Sequence, residues 1–394
     1  MKYRKLSYFD EFHCRAGECP ENCCRGWQIP LAEEDLTRYR EMKGEKALGL
    51  NLRILLGGKD PFLNPSGGIC PYLLEKEGLC ELQKKRGEEY LPLVCKLFPR
   101  RQINYGPVTE QSLFLSCVEA SRLFLEHESD LHYIEVENGP DLPVYGDNDD
   151  EAYFRRVEES RERIFELLHD SCVRSASGEA EDFSGFEETL KRIRRYAGKL
   201  QDACIRYDSD SLKQLCENPV PVYGKEDADE EKLPDKSLFP LPITVLNELM
   251  STRFYQKKMK EKIPELYRLC HVYFRIFDPL TEEAGQERFD ELLSAYLRAG
   301  GRTSKYVHYL QYYLLTYYGE VFEDYSFTRR IDYGILHANM LLLMDLCRFA
   351  EAGQKLPDPV SEARTLAVYE KRGLHSRDLQ REMYDVFTKY YLGR

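Results

Sequence analysis

No run in this chain approaches the about eighteen consecutive apolar residues of a membrane-spanning helix. The opening residues, Met-Lys-Tyr-Arg-Lys-Leu-Ser-Tyr-Phe-Asp, form no apolar leader core. Positive charge is also scarce: 56 Lys and Arg face 68 Asp and Glu, a net −12 at pH 7. That balance argues against a nucleic-acid partner, whose phosphates need a basic face, although a local basic patch stays open. No Gly-x-Gly-x-x-Gly run links a strand to a helix, and strands and helices do not alternate, so the doubly wound nucleotide-binding folds are not expected. The tight Cys-x2-Cys hook of zinc ribbons is missing as well. No internal repeat, low-complexity tract, Ser/His/Asp order or paired-carboxylate signature stands out. A chain with 42% hydrophobic and 31% charged residues is expected to be globular and cytoplasmic, with no membrane association.

What the chain does have is cysteine, unevenly placed. Of its 13 cysteines, Cys14, Cys19, Cys23, Cys24, Cys70, Cys80, Cys95 and Cys117 fall in the first 117 positions. With 394 residues available, stability needs no covalent staples. In a reducing compartment such a set points to metal rather than disulfides. Adjacent cysteines point in different directions, so Cys23 and Cys24 do not suit one small ion together. Four residues separate Cys14 from Cys19 and three separate Cys19 from Cys23, loose spacing that favours an iron–sulfur cluster over zinc while leaving zinc open. Cys-x3-Cys-x2-Cys, the radical-generating arrangement, is absent. Cys172, Cys204, Cys216, Cys270 and Cys347 lie singly in helical stretches and read as small buried hydrophobes.

The pattern Phe12-x-Cys14-x-x-Gly17-x-Cys19-x3-Cys23-Cys24-x-x-Trp27, then Cys70-Pro-Tyr-Leu, Gly78-Leu-Cys80, Leu91-Pro-Leu-x-Cys95-x-x-Phe98-Pro99-Arg100 and Leu113-Phe-Leu-Ser-Cys117-x-Glu119-Ala120, resembles the flagellin lysine-N-methylase (FliB) family. Those proteins share their cysteines with the CxxCxxCC zinc- or iron-chelating (YkgJ-like) group. The likeness is dense over about residues 8 to 126. It implies a cytoplasmic enzyme that moves methyl groups from S-adenosylmethionine to lysines of flagellin and carries a 4Fe–4S cluster. The competing reading is a metal-chelating or redox-sensing protein without methyl chemistry; a zinc-stabilised docking scaffold is a third.

Period and punctuation predict a mainly α chain: a cysteine-rich domain over 1–130, irregular with short helices and one β-hairpin, then an all-α domain over 131–394. Residues 1–30 read as loop, with a short helix from Leu31 to Tyr39. Short helical turns are expected at 71–76 and 91–97, and a hairpin at Arg101–Tyr105 and Val108–Leu115 around Gly106-Pro107. A helix follows over 118–125, and a possible strand pair near 133–145. Helices are then expected at 151–169, 186–206, 242–260, 264–277, 281–298, 304–318, 330–352, 359–372 and 377–391, the last capped by Ser376. The acidic, proline-containing stretch 217–240 reads as a surface loop.

Lysine methylation needs a neutral amine aligned with a sulfonium methyl group, and ring faces attract both cations. Tyr306, Tyr309, Tyr313 and Tyr317 recur at helical spacing and are a candidate donor-binding wall; the plainer reading is a core stripe. Trp27 is expected to pack over the cysteine site. His13 is a possible ligand or hydrogen-bonding neighbour, and His308 and His337 read as packed or exposed. Lys84, Lys85, Arg86, Lys96, Arg100 and Arg101 form a basic group that either receives a carboxylate or is simply solvated. The sequence identifies no catalytic base.

Overall fold

A computed structural model describes residues 2–41, 62–63, 68–137, 150–175, 183–218, 220 and 236–393. Near the amino end a four-stranded sheet has the order β4-β5-β1-β6, built from β1 (Lys2–Leu6), β4 (Arg100–Asn104), β5 (Val108–Leu113) and β6 (Tyr133–Val136). β4 and β5 are the expected hairpin, with Gln102 opposite Gln111. β1 was expected to be loop. It is instead a central strand, parallel to β5 and antiparallel to β6. Its sequence, Lys-Tyr-Arg-Lys-Leu, does not alternate; the strand is made by partners about a hundred positions away, with Tyr3 opposite both Thr109 and Val136. β6 is likewise drawn to β1 rather than to a local partner, and 138–149 lie outside the described residues.

Between β1 and the hairpin come α1 (Glu33–Arg40), the two-residue strands β2 (Leu73–Leu74) and β3 (Leu79–Cys80), α2 (Glu81–Arg86) and α3 (Leu93–Leu97). The helical turn expected at 71–76 is therefore a miniature hairpin, closed by Gly78 with φ +65. Most of the glycine- and proline-rich approach to Cys70 lies outside the described residues.

The rest is helical: α4 (Val118–His127), α5 (Glu151–Ser175), α6 (Ser184–Ile205), α7 (Ser209–Glu217), α8 (Ile243–Ser251), α9 (Met259–Lys262), α10 (Pro264–Phe277), α11 (Glu282–Arg298), α12 (Ser304–Tyr317), α13 (Val321–Asp324), α14 (Phe327–Glu351), α15 (Pro359–Gly373) and α16 (Arg377–Leu392). The helix expected over 242–260 is two, α8 and α9, with a turn through 252–258 between them. α7 went unrecognised; the Asp208 carboxylate caps it by accepting from the Ser211 amide. Ser376 does cap α16, its Oγ accepting from the Leu379 amide. Most of 219–235 lies outside the described residues.

α14 is the axle of this half. Every residue from Arg330 to Phe349 is buried, so it packs on all sides instead of along one stripe. Gly334 lets α12 approach: a Cβ there would lie 2.5 Å from Leu310 Cδ1. Charges carried inward are paired, Lys305 of α12 lying 2.8 Å from Asp345 and 3.0 Å from Glu362. The sheet is fastened to this frame where Tyr312 Oη donates to the Leu113 carbonyl at 2.9 Å and Arg101 Nη1 to the Thr316 carbonyl at 2.7 Å. The main apolar core accordingly takes in Leu6, Phe9, Phe12 and Leu113 together with the helices. A smaller core around Ile29, Leu36, Tyr39, Leu63 and Leu82 belongs to the cysteine-rich part. Among the described residues no helix is long and apolar enough to cross a membrane.

Candidate metal centre

Backbone contacts deliver the cysteines to one place. The Cys70 amide donates to the Cys24 carbonyl at 2.8 Å and the Gly26 amide to the Gly68 carbonyl at 3.2 Å, so the two segments run side by side. Asn22 clamps the first loop onto the small hairpin: its Nδ2 donates to the Gly78 carbonyl at 3.1 Å, and its Oδ1 accepts from the Cys24 amide at 2.8 Å. Gly17 is needed there, since a Cβ would meet the Glu77 carbonyl oxygen at 2.9 Å. Cys80 opposes Leu73 in the hairpin and immediately precedes α2. α3 carries Cys95 and is tied down by Asp35 of α1, whose carboxylate accepts from the Leu93 amide at 3.1 Å. Cys117 is the residue before α4.

All eight of these cysteines line a single cavity of about 380 Å³. Every one is a free thiol, and no disulfide occurs among the described cysteines. The thiols are spread around the walls; among the described residues no three Cys, His, Asp or Glu side chains close on one ion-sized point. Cys24, Cys80 and Cys95 pack together with Cys70 against the smaller apolar core, whereas Cys117 packs against the main one.

Electrostatically the cavity is divided. A hydrogen bond from the Cys24 thiol, with help from the Lys371 ammonium and against the effect of burial, pulls Cys23 down to about 7. Cys24 is driven up by its neighbours Cys23 and Cys70. Burial raises Cys19, Cys80 and Cys95, and lifts Cys117 to about 12. Burial thus keeps most of these thiols protonated, and a bound metal cation would reverse that balance, because it binds thiolate. Backbone amides already point at several sulfurs, those of Leu82 and Gln83 at Cys80 and of Glu119 and Ala120 at Cys117. The donor set is thus chemically suited to a thiophilic metal or an iron–sulfur cluster.

Trp27 closes one side. Its Nε1 donates to the Cys23 carbonyl at 2.6 Å, and its ring stacks on Phe98 with centroids 5.9 Å apart. His13 also lines the cavity, its Nδ1 2.9 Å from the Glu11 carbonyl. Of the basic group, only Lys96 and Arg100 reach the cavity. Arg100 lies 5.0 Å over the Phe12 ring, while Lys85 pairs with Glu81 at 2.7 Å and Arg101 turns inward. Lys371 of α15 was not foreseen: its ammonium donates to the Asn22 carbonyl at 3.3 Å, tying the first cysteine loop to the far end of the chain. Nothing in the spacing of the sequence announces a partner so distant.

The tyrosine stripe is elsewhere. Tyr306, Tyr309, Tyr313 and Tyr317 are all buried on α12 and are not among the described residues lining the thiol cavity or its larger neighbour. Tyr306 donates to Asp345 at 2.9 Å and Tyr309 to Glu370; Tyr317 stands behind Phe114, ring centroids 6.4 Å apart. His337 is also core, its Nδ1 2.6 Å from Tyr369 Oη, and burial depresses it to about 3. Cys216, Cys270 and Cys347 are buried and Cys204 half-buried; the side chain of Cys172 lies outside the described residues.

A thiol-lined chamber at the amino end, braced on a helical frame, offers the type of donor that metal-chelating proteins use. The CxxCxxCC family, whose members carry a zinc- or iron-chelating domain by description, matches residues 13–113. The flagellar biosynthetic protein FliU of Salmonella muenchen is 30% identical over 126 residues, spanning 30% of this chain and 74% of that one. The lysine-N-methylases of Salmonella typhimurium and Salmonella choleraesuis are 30% identical over 126 residues, but the match spans only 31% of their length. No solved structure matches the chain. The chain belongs to the flagellin lysine-N-methylase (FliB) family.

Proposed function

We propose that this chain is a protein-lysine N-methyltransferase of the cytoplasm, using S-adenosylmethionine as donor and flagellin as substrate, with a 4Fe–4S cluster in its thiol cavity. Residues 1–130 are the cluster-holding part and 131–394 the helical frame. The observation that carries this reading is the placement of all eight amino-terminal cysteines around one cavity in a chain similar to lysine-N-methylases. Cys24, Cys70, Cys80 and Cys95, which share one apolar core, are assigned as the four ligands; Cys14, Cys19, Cys23 and Cys117 complete the wall.

When bound, the cluster supplies an anionic, redox-poised centre that fixes the loops around it. The chain's own groups do the rest. Trp27 and Phe98 cover one side of the thiols, while Cys14 and Cys23 stay exposed. Lys371 and Arg100 place positive charge at the same wall, and a lysine substrate entering beside them is pushed toward its neutral, nucleophilic form.

The test is methyl transfer from labelled S-adenosylmethionine to flagellin under anaerobic conditions, together with iron and sulfide analysis. Label appearing on lysine, with four irons per chain, is expected; label absent from every lysine defeats the enzyme reading. A second reading, a metal-chelating or redox-sensing protein without methyl chemistry, is favoured by the short span of the match to the lysine-N-methylases, 31% of their length. That protein would bind metal and ignore the donor in calorimetry.

A further inference from the structure

Against the thiol cavity lies a larger one, about 570 Å³, between the cysteine-rich part and the helices. Trp27, Phe98, Arg100, Ser116 and Lys371 line both and form the partition. On the far side of the partition the composition is one-sided. Phe62 and Phe114 extend the aromatic wall begun by Trp27 and Phe98, and Lys258, Lys262 and Arg372 supply cations. No Asp or Glu occurs among the described lining residues, in a chain where acids outnumber bases 68 to 56. The local effect is visible on Lys262, whose ammonium is depressed by burial and then by Lys258 and Arg372. Positive charge gathered around apolar rings, exposed at Lys258 and half-buried at Lys262 and Arg372, is stabilised by an anion, and stacked rings accept a flat heteroaromatic group. The volume is that of a small-molecule site rather than a surface groove.

We infer that this cavity binds a small molecule combining a flat heteroaromatic ring with an anionic group, the ring on the Trp27–Phe98 wall and the anion toward Lys258, Lys262 and Arg372. A nucleoside bearing a carboxylate and one bearing a phosphate share this chemistry. The methyl donor also carries a carboxylate, but its sulfonium and ammonium make it a net cation, so this inference does not rest on the methyl-transfer reading.

Titration calorimetry on the full chain, purified anaerobically, separates the cases with three probes: S-adenosylhomocysteine, adenosine 5′-monophosphate and uncharged adenosine. Trp27 is the sole tryptophan, so quenching of its emission reports occupancy of this wall independently. At least one of the two acid-bearing probes, the zwitterionic S-adenosylhomocysteine or the anionic monophosphate, is expected to bind about tenfold or more tighter than adenosine. The double variant Lys258→Gln, Lys262→Gln lies at the cavity's polar end and keeps the core intact; it is expected to reduce that preference to near unity while adenosine binding is unchanged. Adenosine binding as tightly as both acid-bearing probes, no probe binding to the wild type, or a double variant with the wild-type preference overturns the inference. Methyl transfer is scored separately: binding without transfer removes the enzyme reading and leaves this site, and transfer without probe binding does the reverse.

Discussion

Cysteines of identical chemistry have opposite fates in this chain, decided by what surrounds each thiol. Cys70, with its sulfur at the thiol cavity, and Cys216, deep among apolar side chains of the helical frame, are both buried. Serine at position 70 is expected to lower iron per chain by half or more and to change the Mössbauer spectrum. Serine at position 216 leaves the iron content unchanged and costs only stability. A second expectation concerns Lys305, which neutralises Asp345 inside the frame. Lys305→Met leaves that carboxylate buried without its cation, with the Tyr306 hydroxyl as remaining donor, a loss of about 3–5 kcal/mol, measurable as a fall in the urea midpoint. Glu370 provides a pH signature. Burial raises its carboxyl to about 8, against a hydrogen bond from Tyr309 that lowers it. In the unfolded chain the group titrates near 4.5, so between these values the native state holds the extra proton. Its contribution is therefore full below about 4.5 and is lost as pH rises toward about 8, on the order of a few kcal/mol. Glu370→Gln should remove this decline, and denaturation curves at pH 5 and pH 8 for the two proteins check it.

At the level of elements, the cysteine site depends on loops meeting at close range. Gly17→Ala pushes the first loop off the small hairpin at the Glu77 carbonyl. The expected cost is about 1–3 kcal/mol, with reduced metal retention during gel filtration as the readout. The same elements explain what was legible in the sequence. α10, α11, α12, α14, α15 and α16 lie close to their expected positions because each buries a helical stripe or a whole helix, and period survives in local sequence. β1 was not legible because its five residues carry no pattern of their own and are ordered by Val108–Leu113 and Tyr133–Val136. The break after Ser251 was hidden because residues 252–258 carry no proline or glycine to mark it. The cysteines were legible by type and crowding; the wall contributed by Lys371, Lys258 and Lys262 was not, because charge on a distant segment has no local mark. The tyrosines of α12 had the spacing of a wall and lie inside the frame, bonded to Asp345 and Glu370.

For the whole molecule, a metal held as proposed would be coupled to the fold through the partition between the two cavities. Metal bound by thiolates of the folded chain stabilises it by mass action, since the unfolded chain offers no such enclosure. Stripping metal with a chelator is expected to lower the melting temperature by several degrees, and hydrogen exchange should loosen residues 12–30 and 68–97 before α14. A melting temperature indifferent to metal removal would separate the thiol cavity from the stability of the frame.

The Asn22–Lys371 tie also orders events during synthesis. The thiol-bearing segments leave the ribosome long before the helix that supplies Lys371, so the nascent chain passes through an interval in which its reactive sulfurs have partners at only one end. An inorganic centre that needs the finished wall would therefore enter only after synthesis, and until then the thiols would be open to oxidants.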